Sequence, residues 1–406
     1  MTLLSPPNYG EGVSRRICIV SGSRADYGYL RRLARAIADA PELTLQWLAT
    51  GTHFTEEFGS TYREIEADGF TIDEKLPMDL ADDTVGAVAR ATGEIMVRMA
   101  DALERLKPDI LVVLGDRYET LAAAGAALLL RIPIAHIHGG EITEGAFDDA
   151  IRHAITKMSH LHFVAAEPYR KRVIQMGEEP ARVFTVGAPS LDNLTNLQRL
   201  TIAGLEARVE HDLGEGFFLI TYHPKTLGTG DGAAPVRALL TALEAWPERR
   251  LLITGVNADP GRDAVADAFA DYAAEHRERV AMCASLGGTA YFSALALCGA
   301  VVGNSSSGLI EAPAVGAATI NIGDRQKGRL RAGSVIDCCD GIDDIRAAVS
   351  RALDPGFLGA CADQEPPYGR GGASARIKQK LQSADLDGLR TKRFYDLPTD
   401  GAQSHG

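Results

Sequence analysis

The chain has 406 residues, 46% of them hydrophobic and 24% charged, with a net charge of -12 and an isoelectric point near 5.4. That composition belongs to a folded globular protein of about two domains and excludes a disordered chain. The acidic balance argues against nucleic acid as the main partner, because phosphate binding needs a basic face, and no run approaches the roughly 18 apolar residues of a membrane span.

Residues 1–14 lack the basic start and the apolar length of a signal peptide and read as a loose tail. Residues 15–21 then form a compact β-branched run. It turns straight into Gly22-Ser23-Arg24 and a helical stretch over 29–40. A strand, a glycine turn and a helix start bring free N–H groups and the helix dipole together, which makes an anion site or, with no ligand, a tight turn. The spacing is not that of G-x-G-x-x-G, so a dinucleotide fingerprint is absent. Residues 43–49 read as the second strand, ending in Gly51-Thr52-His53, and a long helical region covers 84–106.

The central unit follows. A strand over 109–114 stops at Gly115-Asp116-Arg117, a small-residue helix covers 122–130, and a strand over 132–137 stops at His138-Gly139-Gly140-Glu141. Strand, helix and strand imply a right-handed crossover with a parallel sheet. Ligands in such sheets sit beyond the carboxyl ends of the strands, where Asp116, Arg117, His138 and Glu141 emerge. Residues 148–160 have helical spacing, with Asp148 and Asp149 placed to cap the N-terminus. Their nearness to the glycine-glycine-glutamate turn also makes them candidates for chemistry. Strands over 161–165 and 182–186 complete the first sheet.

The second half repeats the pattern, with strands over 217–222, 249–254, 279–283, 300–302, 317–322 and 334–337. Three of them end in polar turns: Tyr222-His223-Pro224, Gly255-Val256-Asn257 and Gly303-Asn304-Ser305-Ser306-Ser307-Gly308. The last gives a cradle of N–H and O–H donors suited to a diphosphate. Glu311, one turn further on, is placed to accept both hydroxyls of a ribose. The expected architecture is α/β, two Rossmann-like doubly wound domains facing across a cleft. Its expected divisions are a tail 1–14, a carboxylate-bearing domain 15–195, a nucleotide-binding domain 196–380 and a tail 381–406.

His136-x-His138 and His160-x-His162 have strand spacing for metal ligands, but no cysteine or third histidine is near, so no metal is expected. No G-x-S-x-G elbow is present, which argues against a serine nucleophile. Cys18, Cys283, Cys298, Cys338, Cys339 and Cys361 lie far apart or vicinal, as in a reduced cytoplasmic enzyme.

Several blocks together resemble one family. SGSRADYG (21–28), LGDRYE (114–119), HIHGGE (136–141), FDDAIRHAITKMSHLHF (147–163), YHPKT (222–226), GNSSSGLIEAP (303–313), NIGDRQKGR (321–329) and RFYDLP (393–398) are similar to the hydrolysing UDP-N-acetylglucosamine 2-epimerases of sialic acid and legionaminic acid biosynthesis. The resemblance implies a glycosyltransferase-B type fold with the active site in the interdomain cleft, a UDP-sugar substrate, no metal or other cofactor, and a homodimer or homotetramer. Such enzymes remove UDP from C1 and a proton from C2, pass through a 2-acetamidoglucal, and add water to give the epimer as a free sugar.

By that resemblance Asp116 is the acid of the GDR motif and Arg117 its substrate-contacting neighbour. Asp148, with Asp149 beside it, is the acid preceding an RH-containing helix. His223 follows the first strand of the second domain as the family's histidine does. Glu311 matches the ribose-binding glutamate and Asn257 a nucleotide-side polar residue. Arg24, Ser305, Ser306 and Arg325 are placed to supply a leaving-group clamp, and Gly22 and Ser23 count with them as substrate- or UDP-binding residues. One departure stands out: part of the family has a catalytic glutamate where this chain has His138, with Glu141 three residues later. Either could be the second acid/base, and Glu141 is preferred at this point. The implied reaction is UDP-N-acetylglucosamine plus water to N-acetylmannosamine plus UDP. Alternatives are hydrolytic epimerisation of a UDP-2,4-diacetamido-2,4,6-trideoxyhexose, a non-hydrolysing epimerase, a retaining glycosyltransferase and a non-catalytic sugar-nucleotide sensor.

Overall fold

The computed structural model describes residues 14–56, 59–80, 84–143, 147–195, 197–224, 232–256, 261–389 and 391–398. These form two compact units. The first takes the described residues up to Glu141, Phe147–Pro189 and those from Gly372 on; the second takes Ser190–Gly371 with Ile142 and Thr143.

The first unit is built on seven strands: β1 (Arg15–Ser21), β2 (Leu43–Gly51), β3 (Glu74–Pro77), β4 (Ile110–Leu114), β5 (Ile134–Ile137), β6 (Leu161–Val164) and β7 (Val183–Thr185). They are ordered β3-β2-β1-β4-β5-β6-β7, and every neighbouring pair is parallel. A parallel sheet covered by helices on both faces needs apolar side chains on both, which is why its strands read as unbroken hydrophobic runs. In β4, Ile110, Val112 and Leu114 enter one core cluster. Leu111 and Val113 enter another on the opposite face. The helix Tyr118–Leu129 lies close to its neighbours because its buried residues include Ala122, Ala123, Ala124, Ala126 and Ala127.

β3 went unseen in the sequence because only Leu76 of its four residues is buried. It sits at the sheet edge beside β2, where the terminal Pro77 costs no ladder bond.

The second unit has six strands: β8 (Phe218–Thr221), β9 (Leu251–Thr254), β10 (Val280–Cys283), β11 (Ala300–Gly303), β12 (Thr319–Ile322) and β13 (Val335–Cys338). Their order is β10-β9-β8-β11-β12-β13, again parallel throughout. In each sheet the chain starts in the middle, runs to one edge and then crosses back. The reversal falls between β1 and β4 in the first and between β8 and β11 in the second, and these are the topological switch points where ligands bind.

The chain past Gly372 differs from the expected division, which ran the second domain to residue 380 and ended in a tail. The helix Ala373–Ser383 buries Ala373, Ile377 and Leu381 in the first unit's core beside Leu30, Leu33 and Ile37. The guanidinium of Arg15, at the start of β1, donates to the carbonyls of Leu381 and Ala384, the latter at 2.8 Å. Further on, Tyr395 N donates to Gly177 O at 2.9 Å. Three apolar residues at four-residue spacing in a polar stretch carry this docking, and their partners lie at the other end of the chain. Among the described residues no helix is long and apolar enough to cross a membrane.

Candidate active site

In the first unit the exit from β5 is a turn that tolerates few residues. His138 has φ of 66° and Gly140 of 78°, the left-handed region in which β-branched residues are strained. A Cβ on Gly140 would lie 2.6 Å from the carbonyl oxygen of Tyr169, so the glycine is required. The turn folds Glu141 back onto His138, and its Oε1 meets His138 Nδ1 in a hydrogen bond. Both are buried, at 8% and 2% exposure. The Nε2 of His138 is buried without a hydrogen-bond partner among the described residues. An ionised carboxylate only accepts, so in a neutral imidazole Nδ1 holds the proton and Nε2 presents its lone pair. The ring of Tyr29 meets the imidazole edge-on at 5.5 Å.

Asp116 emerges after β4, and its carboxylate is paired with Arg152 Nη2. The Arg152 side chain is 2% exposed, and its Nη1 donates to the carbonyl of Glu141 at 3.0 Å and lies 3.4 Å from Asp149 Oδ1. His153 Nε2 is 3.4 Å from the other oxygen of Asp149. One buried guanidinium therefore ties together the exit of β4, the exit of β5 and the first turn of the helix Phe147–Met158, where Asp148 sits half-buried. The spacing Asp149 to Arg152 was visible in the sequence. That Arg152 is the hub was not, because Asp116 and Glu141 come from other elements.

At the switch point of this sheet, Ser23 caps the helix Arg24–Ala38 by accepting from Asp26 N at 3.2 Å, while Asp26 Oδ2 accepts from Gly22 N at 2.9 Å. Arg117 Nε pairs with Glu119 Oε1 at 2.9 Å, and Glu119 is buried. The guanidinium is held charged, above its ordinary range, chiefly by that carboxylate. Burial, followed by the charge of Glu119, pushes Asp26 up to about 6. Arg24 is in an exposed ion pair with Glu64 at 3.2 Å, a contact of little energy that another anion could replace. Asp26 and Glu119 both lay inside recognised motifs but gave no signal of their own.

In the second unit Asn304 joins the two switch-point strands. Its Oδ1 accepts from His223 N at 2.7 Å and its Nδ2 donates to His223 O at 2.8 Å. Gly303, at φ of 144°, precedes it, and a Cβ there would be 2.0 Å from Thr221 O. Gln326 Nε2 donates to Asn304 O at 2.9 Å and Arg325 Nη1 at 3.3 Å. Ser305 and Ser306 are half-buried ahead of the helix Ser307–Ala314, and Ser306 at its N-cap makes no side-chain capping bond. The backbone donors of that helix start and the Arg325 cation give the beginnings of an anion cradle. Glu311 is buried and accepts from the Ser190 hydroxyl through Oε1. Burial, with Arg325 adding to it, pushes His223 down to about 3, so its imidazole is neutral near pH 7.

The structure thus brings Asp116, His138, Glu141 and Asp149 into one hydrogen-bonded group in the first unit; in the second, His223 and Arg325 meet at Asn304, Ser305 and Ser306 follow it in the chain, and Glu311 lies on the next helix against Ser190. Gly22, Ser23 and Arg117 belong to the switch point of the first sheet. Asn257 lies outside the described residues. His136 spends Nε2 on Gly115 O at 2.8 Å and Nδ1 on Thr156 Oγ1 at 3.2 Å. Among the described residues no group of three or more histidines, cysteines or acids could hold a metal.

Two parallel Rossmann-like sheets, each with its switch point furnished with polar groups, are of the glycosyltransferase-B type. The family model described as UDP-N-acetylglucosamine 2-epimerase matches residues 35–382, and the chain belongs to that family. A relative from Campylobacter jejuni subsp. jejuni, named GDP/UDP-N,N'-diacetylbacillosamine 2-epimerase (hydrolyzing), is 40% identical over 94% of this chain and 99% of its own. One from Escherichia coli, named polysialic acid biosynthesis protein P7, is 35% identical over 95% of this chain and 98% of its own. The solved structure of UDP-GlcNAc 2-epimerase from Neisseria meningitidis bound to UDP-GlcNAc matches with a TM-score of 0.77 at 20% identity, over 90% of this chain and 99% of that one, a likeness of fold.

Proposed function

We propose that this protein is a hydrolysing UDP-sugar 2-epimerase, and that its sugar is a 2,4-diacetamido-2,4,6-trideoxyhexose of the N,N'-diacetylbacillosamine kind. The observation that carries the reaction is the buried His138–Glu141 pair with its open Nε2, joined through Arg152 to Asp116. The sugar rests on the printed name of the Campylobacter relative. Hydrolysis of UDP-N-acetylglucosamine is kept as the second reading by the polysialic acid name of the Escherichia relative.

Elimination takes the C2 proton onto a base and breaks the C1–O bond, so that UDP leaves with the electron pair. Water then adds across the glucal, oxygen to C1 and a proton to C2 on the opposite face. Two acid/base groups are needed. His138 Nε2 is one, with Glu141 holding the tautomer and the ring, which shifts the role from the glutamate to the histidine. Asp116 is the other, its position fixed by Arg152, with Asp148 and Asp149 lining the same group. In the second unit Ser305, Ser306 and Arg325 donate to the departing diphosphate, Glu311 accepts from the ribose, and neutral His223 completes the donor set. On the spacing of its six cysteines, far apart or vicinal, we place the enzyme in the cytoplasm, and a homodimer or homotetramer is the proposed assembly.

The test is incubation in deuterated water with UDP-N-acetylglucosamine and with the UDP- and GDP-linked diacetamido sugars, followed by NMR. The expected result is release of the nucleoside diphosphate and a free 2-epimer bearing deuterium at C2, fastest with a diacetamido sugar. A 2-epimer still joined to UDP, or a product without deuterium at C2, defeats the proposal. Replacing His138→Gln should abolish the exchange, while Glu141→Gln, which unsettles the tautomer, should lower kcat by about 100-fold or more.

A further inference from the structure

The mechanism above makes no use of Glu119, yet it is the most completely buried acid at the switch point of the first sheet, at 1% exposure. Its Oε1 is taken by Arg117 at 2.9 Å. Its Oε2 is buried and has no hydrogen-bond partner among the described residues. The exit from β1 is shaped around it: a Cβ on Gly22 would stand 2.5 Å from Glu119 Oε1 and 2.7 Å from its Cγ. Two helices, Arg24–Ala38 and Tyr118–Leu129, start at this switch point, and Asp26 and Glu119 occupy their first turns.

A helix start in a Rossmann sheet ordinarily attracts phosphate. Here the protein fills both positions with its own carboxylates, with Arg117 ion-paired to Glu119 and Arg24 to Glu64. Burial and the charge of Glu119 push Asp26 up to about 6, so the switch point already resists added negative charge. It suits a neutral ligand that brings hydrogen to an acceptor. Complementing the helix dipoles accounts for the two acids standing in first turns, but it leaves a buried carboxylate oxygen unsatisfied, which native structures seldom allow.

We infer that Glu119 is a sugar-binding residue whose Oε2 accepts a hydrogen bond from an N–H or O–H on the pyranose ring, with Arg117 and Gly22 fixing its position. This rests on the proposed substrate class. It assigns Arg117 to holding Glu119 in place, where the resemblance has it touching the substrate itself.

The test is Glu119→Gln, which turns the open acceptor into a donor while leaving an oxygen for Arg117. KM for UDP-N-acetylglucosamine or its diacetamido counterpart should rise roughly 10- to 100-fold, the effect of one buried charge-assisted bond. The inhibition constant of UDP, which has no sugar, should stay within about threefold. If Glu119→Gln does not fold, Glu119→Asp, which draws the carboxylate back by one methylene, should give the same split. An unchanged KM in a folded variant overturns the assignment, and so does a parallel loss of sugar-nucleotide and UDP affinity, which would mark a structural role. Should the wild type release no UDP from any sugar nucleotide, the proposed reaction fails, and the inference is then judged by calorimetric titration of sugar nucleotide against UDP with the same two variants.

Discussion

Asn304 closes two hydrogen bonds onto the backbone of a single residue, His223, accepting from its N–H at 2.7 Å and donating to its carbonyl at 2.8 Å. Asn304 is fully buried and His223 nearly so, and the two follow β11 and β8, the strands between which the second sheet reverses. Neither backbone group of His223 is in a strand ladder, so the amide stands in for the ladder that ends there.

Replacing Asn304→Ala leaves a buried donor and a buried acceptor unmet, at about 1–3 kcal/mol each. Urea denaturation should show a loss of about 2–6 kcal/mol, with UDP affinity falling as the histidine and serine turns separate. Asn304→Asp keeps the acceptor but sets a second, buried carboxylate oxygen against the His223 carbonyl, so it should cost at least as much as alanine. Equal stability of all three would remove the staple.

Arg152 is the corresponding organiser in the first unit, with a buried guanidinium on Asp116, Asp149 and the carbonyl of Glu141. Arg152→Met removes the cation and leaves two carboxylates facing each other, which should cost about 3–5 kcal/mol by analogy with other broken buried pairs. Asp116→Asn should cost less, because the amide oxygen still accepts from Arg152, and it should abolish turnover while UDP affinity stays within a few-fold. Full activity in Asp116→Asn would count against the assignment of this cluster.

The C-terminal segment is latched through Glu178, which accepts from His162 at 2.9 Å, Lys157 at 2.6 Å and Lys392 at 2.8 Å. Burial alone would raise its pKa, but hydrogen bonds, that of His162 first, outweigh burial and bring the carboxyl down to about 2 from 4.5. A folded value below the unfolded one gives stability that is present above about pH 4.5 and lost as the pH falls toward 2. Denaturation midpoints of wild type and Glu178→Gln should therefore differ most near neutral pH and converge across that acid window. A gap that stays constant from pH 7 to pH 3 would show that the charge of Glu178 is not what holds the segment.

Much of this protein could be read along the chain. β1, β4 and β8 were legible because a strand buried on both faces must be apolar at every position, and the polar turns after them were legible because such turns end a core run abruptly. Chain order then fixed strand, helix, strand, and with it a parallel sheet. The glycine-rich turn after β5 and the serine-rich start before Leu309 were likewise visible, since glycine and small hydroxyl residues have few other uses beside a buried strand.

What the sequence could not supply were pairings between residues far apart in it. Arg152 was visible as a partner for nearby acids, but its place against Asp116 depends on β4 and the helix Phe147–Met158 being neighbours. Gly22 looks like any turn glycine until Glu119 is packed on it, and Asn304 like any loop residue until its amide finds His223. That His138 and Glu141 share one hydrogen bond follows only from the turn that folds the second onto the first. Local sequence fixes backbone propensity and which side chains must be buried. Which polar groups then share a proton or a charge is set by long-range packing, because hydrogen bonds act over about 3 Å and the chain brings their ends together from anywhere.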